Sequence, residues 1–246
     1  MSAGNRNKGF TLLELLIVIS IIAILAIALV FLLNPAETLK KSRDAQRISD
    51  LNTVKTALGI MLTASSTPSL DNFGAVCLTS TTAAGVTTAN TAAKIRYSSA
   101  SIACTGAAPA QGADGAGGTA VFGGIAAWCT VGASPQKIDG TGWIPVNLRA
   151  LTGCSPISSF PVDPINTVSA TTPSKSDLVY RYACQNGTSA SVGSGKPAYV
   201  FEIDAVLESS AYTVDDNRMT KDGGDNDDKF ETGNSLYILP ITAVEF

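Results

Sequence analysis

Between Phe10 and Leu33 the chain is apolar at nearly every position, with neither the alternation of a half-buried strand nor the stripe of an amphipathic helix. Its polar side chains are Thr11, Glu14 and Ser20, and it holds no glycine or proline. As an α-helix this segment would be roughly 36 Å long at the usual rise per residue, enough to cross a hydrocarbon layer. Asn34-Pro35 interrupts it. Beyond Pro35 apolar residues recur at Ile48, Leu51, Val54, Leu58, Met61 and Leu62, the steps of an amphipathic helix. The pattern predicts helix over 10–64, roughly 80 Å in all, with a kink or local melting at Pro35. Lys41, Arg43, Asp44, Arg47, Asp50 and Lys55 are expected to form its solvated face, the alternative being that the basic cluster binds lipid headgroups. Ser65-Ser66-Thr67-Pro68-Ser69 ends it.

Further along, the pattern changes to short β-rich runs. Residues 178–185, 198–207 and 235–241 read as strands. Residues 119–131 are a fourth candidate, with paired glycines suggesting a bulge. Ser/Thr/Ala/Gly-rich stretches at 79–93 and 98–120 read as loops. Asp163-Pro164 reads as a turn initiator, with a structural role. The sequon Asn186-Gly187-Thr188 is read as chance. The expected fold is α+β: a long N-terminal helix, its apolar half at 10–33 and its amphipathic half at 35–64, packed on an antiparallel sheet head spanning 65–246.

Composition excludes several functions. Of 246 residues 45% are hydrophobic, so a core can form, and the net charge of −3 gives no reason to expect nucleic acid. There is no histidine, which removes Ser-His-Asp and Cys-His catalysis and histidine-bearing zinc sites. No phosphate loop, nucleophile elbow or metalloprotease motif is present, so no enzymatic activity is expected. Cys77, Cys104, Cys129, Cys154 and Cys184 lie too far apart for zinc-ribbon spacing and become disulfide candidates if this region is exported. Acids are concentrated near the C-terminus, in a loop expected at 214–234. Asp222, Asp225, Asp227 and Glu231 there could supply oxygens to calcium on a glycine-bearing loop, although the EF-hand register is absent. The bland alternative is a solvated acidic loop.

Glu14 remains to be explained. A carboxylate costs about 2.5–3.5 kcal/mol at mid-membrane and less near the interface, so a plain anchor would more cheaply carry leucine. A secretory signal peptide would have a shorter apolar core and a small-residue cleavage site after it. A third reading is a cut before the apolar run: cutting after Gly9 would give Phe10 a new ammonium four residues from Glu14. The stretch KGFTLLELLIVISIIAILAIALV resembles the leader and N-terminal helix of type IV prepilins and type II secretion pseudopilins.

That resemblance implies a leader at 1–9, removal by a prepilin peptidase after Gly9, and N-methylation of Phe10. It implies a single-pass precursor in the cytoplasmic membrane, an inner-membrane assembly platform as partner, and a homo-polymeric filament at the cell surface. Within the filament, Glu14 of one subunit would meet the Phe10 ammonium of a neighbour and set the register. The resemblance, and not the charge count, places the C-terminal head outside, since Lys40, Lys41, Arg43 and Arg47 follow the span and oppose the positive-inside rule. Residues 142–185 also resemble the segment preceding the sheet in pseudopilin-like and Gram-positive-type pilins, and major pseudopilins carry calcium in a C-terminal loop. The expected function is a major-pilin-like subunit of a type IV pilus or related filament. The alternatives are a type II secretion pseudopilin, or a minor pilin or anchored extracellular binding protein.

Overall fold

The computed structural model describes residues 9–71, 77–79, 96–99, 134–167, 177–186, 199–236 and 239. Helix α1 spans Leu12–Leu33 and helix α2 spans Pro35–Ala64. The expected interruption is a clean break at one residue. Proline lacks the amide that would continue the helix, and its ring disfavours helical backbone in the residue before it. Asn34 takes the left-handed conformation instead (φ 39°), which asparagine tolerates better than most residues. It ends α1 and caps α2, accepting the Glu37 amide at 3.4 Å on its side-chain oxygen, with Pro35 at the first helical position.

Among the described residues, five short strands form one sheet: β1 Leu78–Thr79, β2 Arg96–Tyr97, β3 Arg181–Asn186, β4 Val200–Ala205 and β5 Phe230–Gly233. β3 pairs antiparallel with β4, and β4 with β5. The other edge of β3 is shared, β2 running antiparallel at its start and β1 parallel at its end. β4 falls within the β-rich run at 198–207, and β3 overlaps the run at 178–185 and ends one residue beyond it. β5 lies inside the segment expected to be an acidic loop, so that loop is shorter than the sequence suggested. Its four residues carry one acid and one glycine, too few to reveal alternation. The candidate strand at 119–131, most of 235–241, and most of the loops at 79–93 and 98–120 lie outside the described residues.

Alternation along β3 and β4 separates two faces. Tyr182, Cys184, Phe201, Ile203 and Ala205 join Leu51, Val54, Ala57, Leu58 and Met61 of α2 in the core. The segment 134–167 closes this core with Trp143, Ile144, Val146, Leu148 and Phe160. Trp143 packs tilted against Tyr180, ring centroids 6.2 Å apart, and donates its indole N–H to the Pro161 carbonyl at 2.9 Å. Gly142 is required beside it, because a Cβ there would strike the Lys137 carbonyl. Burial of Leu51, Val54, Leu58 and Met61 contributes roughly 1.5–3 kcal/mol per side chain. α1 gains nothing comparable, since every side chain from Leu12 to Leu29 is exposed.

Candidate functional site

Gly9 and Phe10 stand exposed ahead of α1, with open space around Gly9 and Phe10 72% exposed. Thr11 is extended (φ −83°, ψ 149°) and caps the helix, its hydroxyl oxygen accepting the Glu14 amide at 3.2 Å. Thr11-Leu12-Leu13-Glu14 therefore has the spacing of a capping box, a signal present in the sequence but overlooked there. Glu14 sits in the first turn, where the helix dipole favours an anion. Ser20 donates its hydroxyl to the Ile17 carbonyl at 2.8 Å, which satisfies it without an outside partner. Glu14 alone presents an exposed charge on an apolar rod, and among the described residues its carboxylate has no partner. Leu12–Leu29 is the one stretch among the described residues long and apolar enough to cross a membrane.

At the other end of the apolar rod, α2 is fastened to the head by charge. Arg47 is 0% exposed. Its Nε and Nη2 donate to the two Asp163 oxygens at 2.6 and 3.1 Å, and its Nη1 donates to Asp44 and Glu208, each at 2.7 Å. Arg43 donates to both oxygens of Glu208 at 2.8 and 3.0 Å. Asp44 also accepts the amides of Glu208 and Ser209 at 2.7–3.0 Å. Burial opposes the Arg47 charge, but Asp163, Glu208 and Asp44 outweigh it and raise its pKa. Hydrogen bonding from Arg43 lowers the Glu208 pKa, against desolvation. Asp50 accepts the Tyr180 hydroxyl at 2.9 Å, while burial raises its pKa.

This corrects the expected solvated face. Lys41 and Lys55 are exposed, but Asp44 and Arg47 are buried and Arg43 and Asp50 are half-buried. The steps 44, 47, 51, 54, 58 and 61 continue the apolar stripe backward into charge, and that register could have found the clamp. The Asp163-Pro164 turn does form, with Asp163 Oδ1 accepting the Ile165 and Asn166 amides at 2.8 and 3.2 Å. Its second task, binding Arg47, was not foreseen.

The outer face of the sheet carries buried charge as well. Arg181 and Asp204 are directly opposed on β3 and β4 and form a two-point ion pair, with Nε to Oδ1 at 2.7 Å. Glu231 on β5 lies opposite Asp204. Burial, then its hydrogen bond with Glu202, pushes the Glu231 carboxyl up to about 10. Burial lowers Lys229 to about 7.

Of the four calcium candidates, the structure brings two into contact through backbone. Asp222 accepts the Gly224 and Glu231 amides at 2.9 and 2.7 Å, and Glu231 accepts the Asn226 amide at 3.0 Å. Asp225 is half-buried and Asp227 exposed. Among the described residues, no three acidic or cysteine side chains converge in a grouping suited to a metal ion. Cys77 and Cys184 form a disulfide, Cys154 is exposed and unbridged among the described residues, and Cys104 and Cys129 lie outside them.

Residues 4–30 match the family model of the prokaryotic N-terminal methylation motif, the signature of type IV pilin and pseudopilin precursors. No curated protein and no solved structure matches the chain. The motif marks precursors that a prepilin peptidase processes and that assemble into membrane-associated filaments. The match covers Gly9, Phe10, Glu14 and most of α1, and leaves the head uncovered.

Proposed function

We propose that the chain is a major-pilin-like structural subunit of a type IV pilus or related filament. Its precursor is held in the cytoplasmic membrane by α1 with the head outside, and is cut between Gly9 and Phe10. N-methylation of Phe10 and polymerisation through α1 follow, and no catalysis is required of the head. The observation that carries this reading is the form of α1 under the methylation motif. It is apolar on all sides, exposed throughout Leu12–Leu29, and marked by one carboxylate near its start. Such a rod needs lipid first and other rods afterwards. The Cys77–Cys184 disulfide supports a head in an oxidising compartment.

Glu14 of one subunit pairs with the Phe10 ammonium of another, and desolvation makes that pairing a condition of correct register. Mass spectrometry of filament subunits tests the processing, with an N-methylated Phe10 terminus expected. Electron microscopy of producing cells tests the class. Long surface fibres built of this chain support the major pilin. Their absence, with loss of protein secretion on deletion, would transfer the reading to a pseudopilin. Calcium on the acidic loop belongs to the same proposal, carried by Asp222, Asp225, Asp227 and Glu231; it requires the loop to draw these side chains together and the buried Glu231 carboxyl to give up its proton. Melting the detergent-solubilised chain with calcium and with chelator tests it: a higher midpoint in calcium supports the ion, and equal midpoints leave Asp222 and Glu231 to their backbone amides alone.

A further inference from the structure

Outside residues 10–29, the exposed large apolar side chains among the described residues are Leu39, Ile60, Ile165 and Val214. Two of these, Leu39 (61% exposed) and Val214 (73%), belong to elements at the end of the head next to α1. Leu39 is four residues past Pro35, roughly 6 Å along α2. Val214 belongs to the π-helical turn Ala211–Asp215, which is fixed beside the first turns of α2. Ser210 donates both its amide and its hydroxyl to Glu37 Oε1, the hydroxyl at 2.8 Å. Lys41 and Arg218 each place a cationic group over the Tyr212 ring, 5.8 and 5.7 Å from its centroid. By helix periodicity Leu39 points away from this turn, so apolar side chains flank α2 on both sides at one level.

The chemistry of that level is graded. It combines exposed aliphatics, a half-buried tyrosine and the cations Lys40 and Lys41. Of the nearby acids, Asp216 binds Arg218 and Lys221, each at 2.6 Å, and Glu37 is turned into Ser210, while Asp215 beside Val214 is exposed. Aromatic residues and lysines with apolar neighbours favour the lipid–water boundary. A single protein partner would reach only one side of α2, whereas a flat surface around the exit of α1 meets both.

We propose that this end of the head rests on the headgroups of the leaflet from which α2 emerges. Leu39, Tyr212 and Val214 enter the interface, and Lys40 and Lys41 face anionic lipid phosphate. The contact holds the head at a set height over the membrane while the subunit awaits assembly. It rests on the reading of α1 as a membrane span.

The test uses the full chain with Cys104→Ser, Cys129→Ser and Cys154→Ser, reconstituted in vesicles of phosphatidylcholine with or without phosphatidylglycerol. Single cysteines at Val214, Ile60 and Ile21 carry an environment-sensitive fluorophore, and nitroxide lipids quench it. The expected result is headgroup-nitroxide quenching at Val214→Cys several-fold above that at Ile60→Cys, which lies roughly 37 Å beyond Pro35 along α2. It should be stronger with phosphatidylglycerol and reduced by Lys40→Gln with Lys41→Gln. Deep nitroxides should quench Ile21→Cys. Quenching at Ile21→Cys with equal, weak signals at Val214→Cys and Ile60→Cys would overturn the contact and leave the span standing. No quenching at Ile21→Cys would overturn both. A Val214→Cys signal that follows subunit density and ignores lipid would make the patch a subunit contact and refute the lipid reading.

Discussion

Thr11 and Glu14 show how one residue can serve two purposes that only a careful substitution separates. Thr11 caps α1 by binding the Glu14 amide, and a glutamate or glutamine at that third position completes a capping box. On the proposed reading, filament register needs the charge of Glu14, while capping needs only its hydrogen-bonding shape. Glu14→Gln should therefore leave α1 helical by circular dichroism in detergent and abolish normal filament yield, as should Glu14→Ala. Normal filament yield from Glu14→Gln would assign the residue to capping. Thr11→Ala should cost α1 about 1 kcal/mol and Thr11→Ser little. Arg47 is the residue at which the sequence misled most. Arg47→Ala leaves Asp44, Asp163 and Glu208 facing one another around a void. Removing one partner of a buried pair costs about 3–5 kcal/mol, so the melting midpoint of the head should fall on the order of 10 °C. Arg47→Lys should recover only part, because a lysine cannot bind Asp163 at two points. A midpoint unchanged in Arg47→Ala would remove the clamp from the fold's essential contacts.

At the scale of elements, legibility followed the strength of local pattern. α1 was plain because an apolar run of its length has few alternatives, and the α2 stripe from Leu51 to Met61 points at the core as its spacing implied. β3 and β4 were visible through their aromatic and β-branched residues. β5 was not, since Phe230-Glu231-Thr232-Gly233 becomes a strand by pairing with β4, a partner distant in sequence. Its Glu231 looked like an exposed ligand and is buried against Glu202 and Asp204. That burial has a pH signature. Glu231 keeps its proton in the folded head up to about 10, against 4.5 for an unperturbed glutamate. A folded pKa raised above the unfolded one contributes stability that is complete below the unfolded value and lost as pH rises toward the folded value. Lys229, lowered to about 7, acts in the opposite direction above neutrality. Glu231→Gln keeps the neutral shape and removes the titration. The midpoint of Glu231→Gln minus that of the parent should therefore grow as pH rises from about 5 to about 10. A constant difference would place a charged carboxylate at this position throughout.

For the molecule as a whole, Asn34 divides two regimes of solvation. On one side α1 has every side chain through Leu29 exposed; on the other, α2 is held by an apolar stripe and by the Arg47 clamp. The division was only half legible in advance: Pro35 announced an interruption, but a left-handed residue that ends one helix and caps the next depends on the asparagine preceding it. If the head owes nothing to α1, a chain beginning at Asn34 should fold, remain soluble without detergent, and melt within about 2 °C of the detergent-solubilised full chain. Starting at Asn34 and not at Pro35 matters, because the Asn34 side chain binds the Glu37 amide at the start of α2 and losing a cap costs about 1 kcal/mol. The same truncated chain isolates the disulfide. Cys77 and Cys184 are 107 residues apart and tie the region after α2 to β3, and loss of a native bridge costs about 2–5 kcal/mol. Cys77→Ala with Cys184→Ala should therefore lower the midpoint well beyond the effect of removing α1. The opposite order, a head that melts without α1 and tolerates loss of the bridge, would mean that the apolar helix is part of the domain's own core and not the handle by which it is held and assembled.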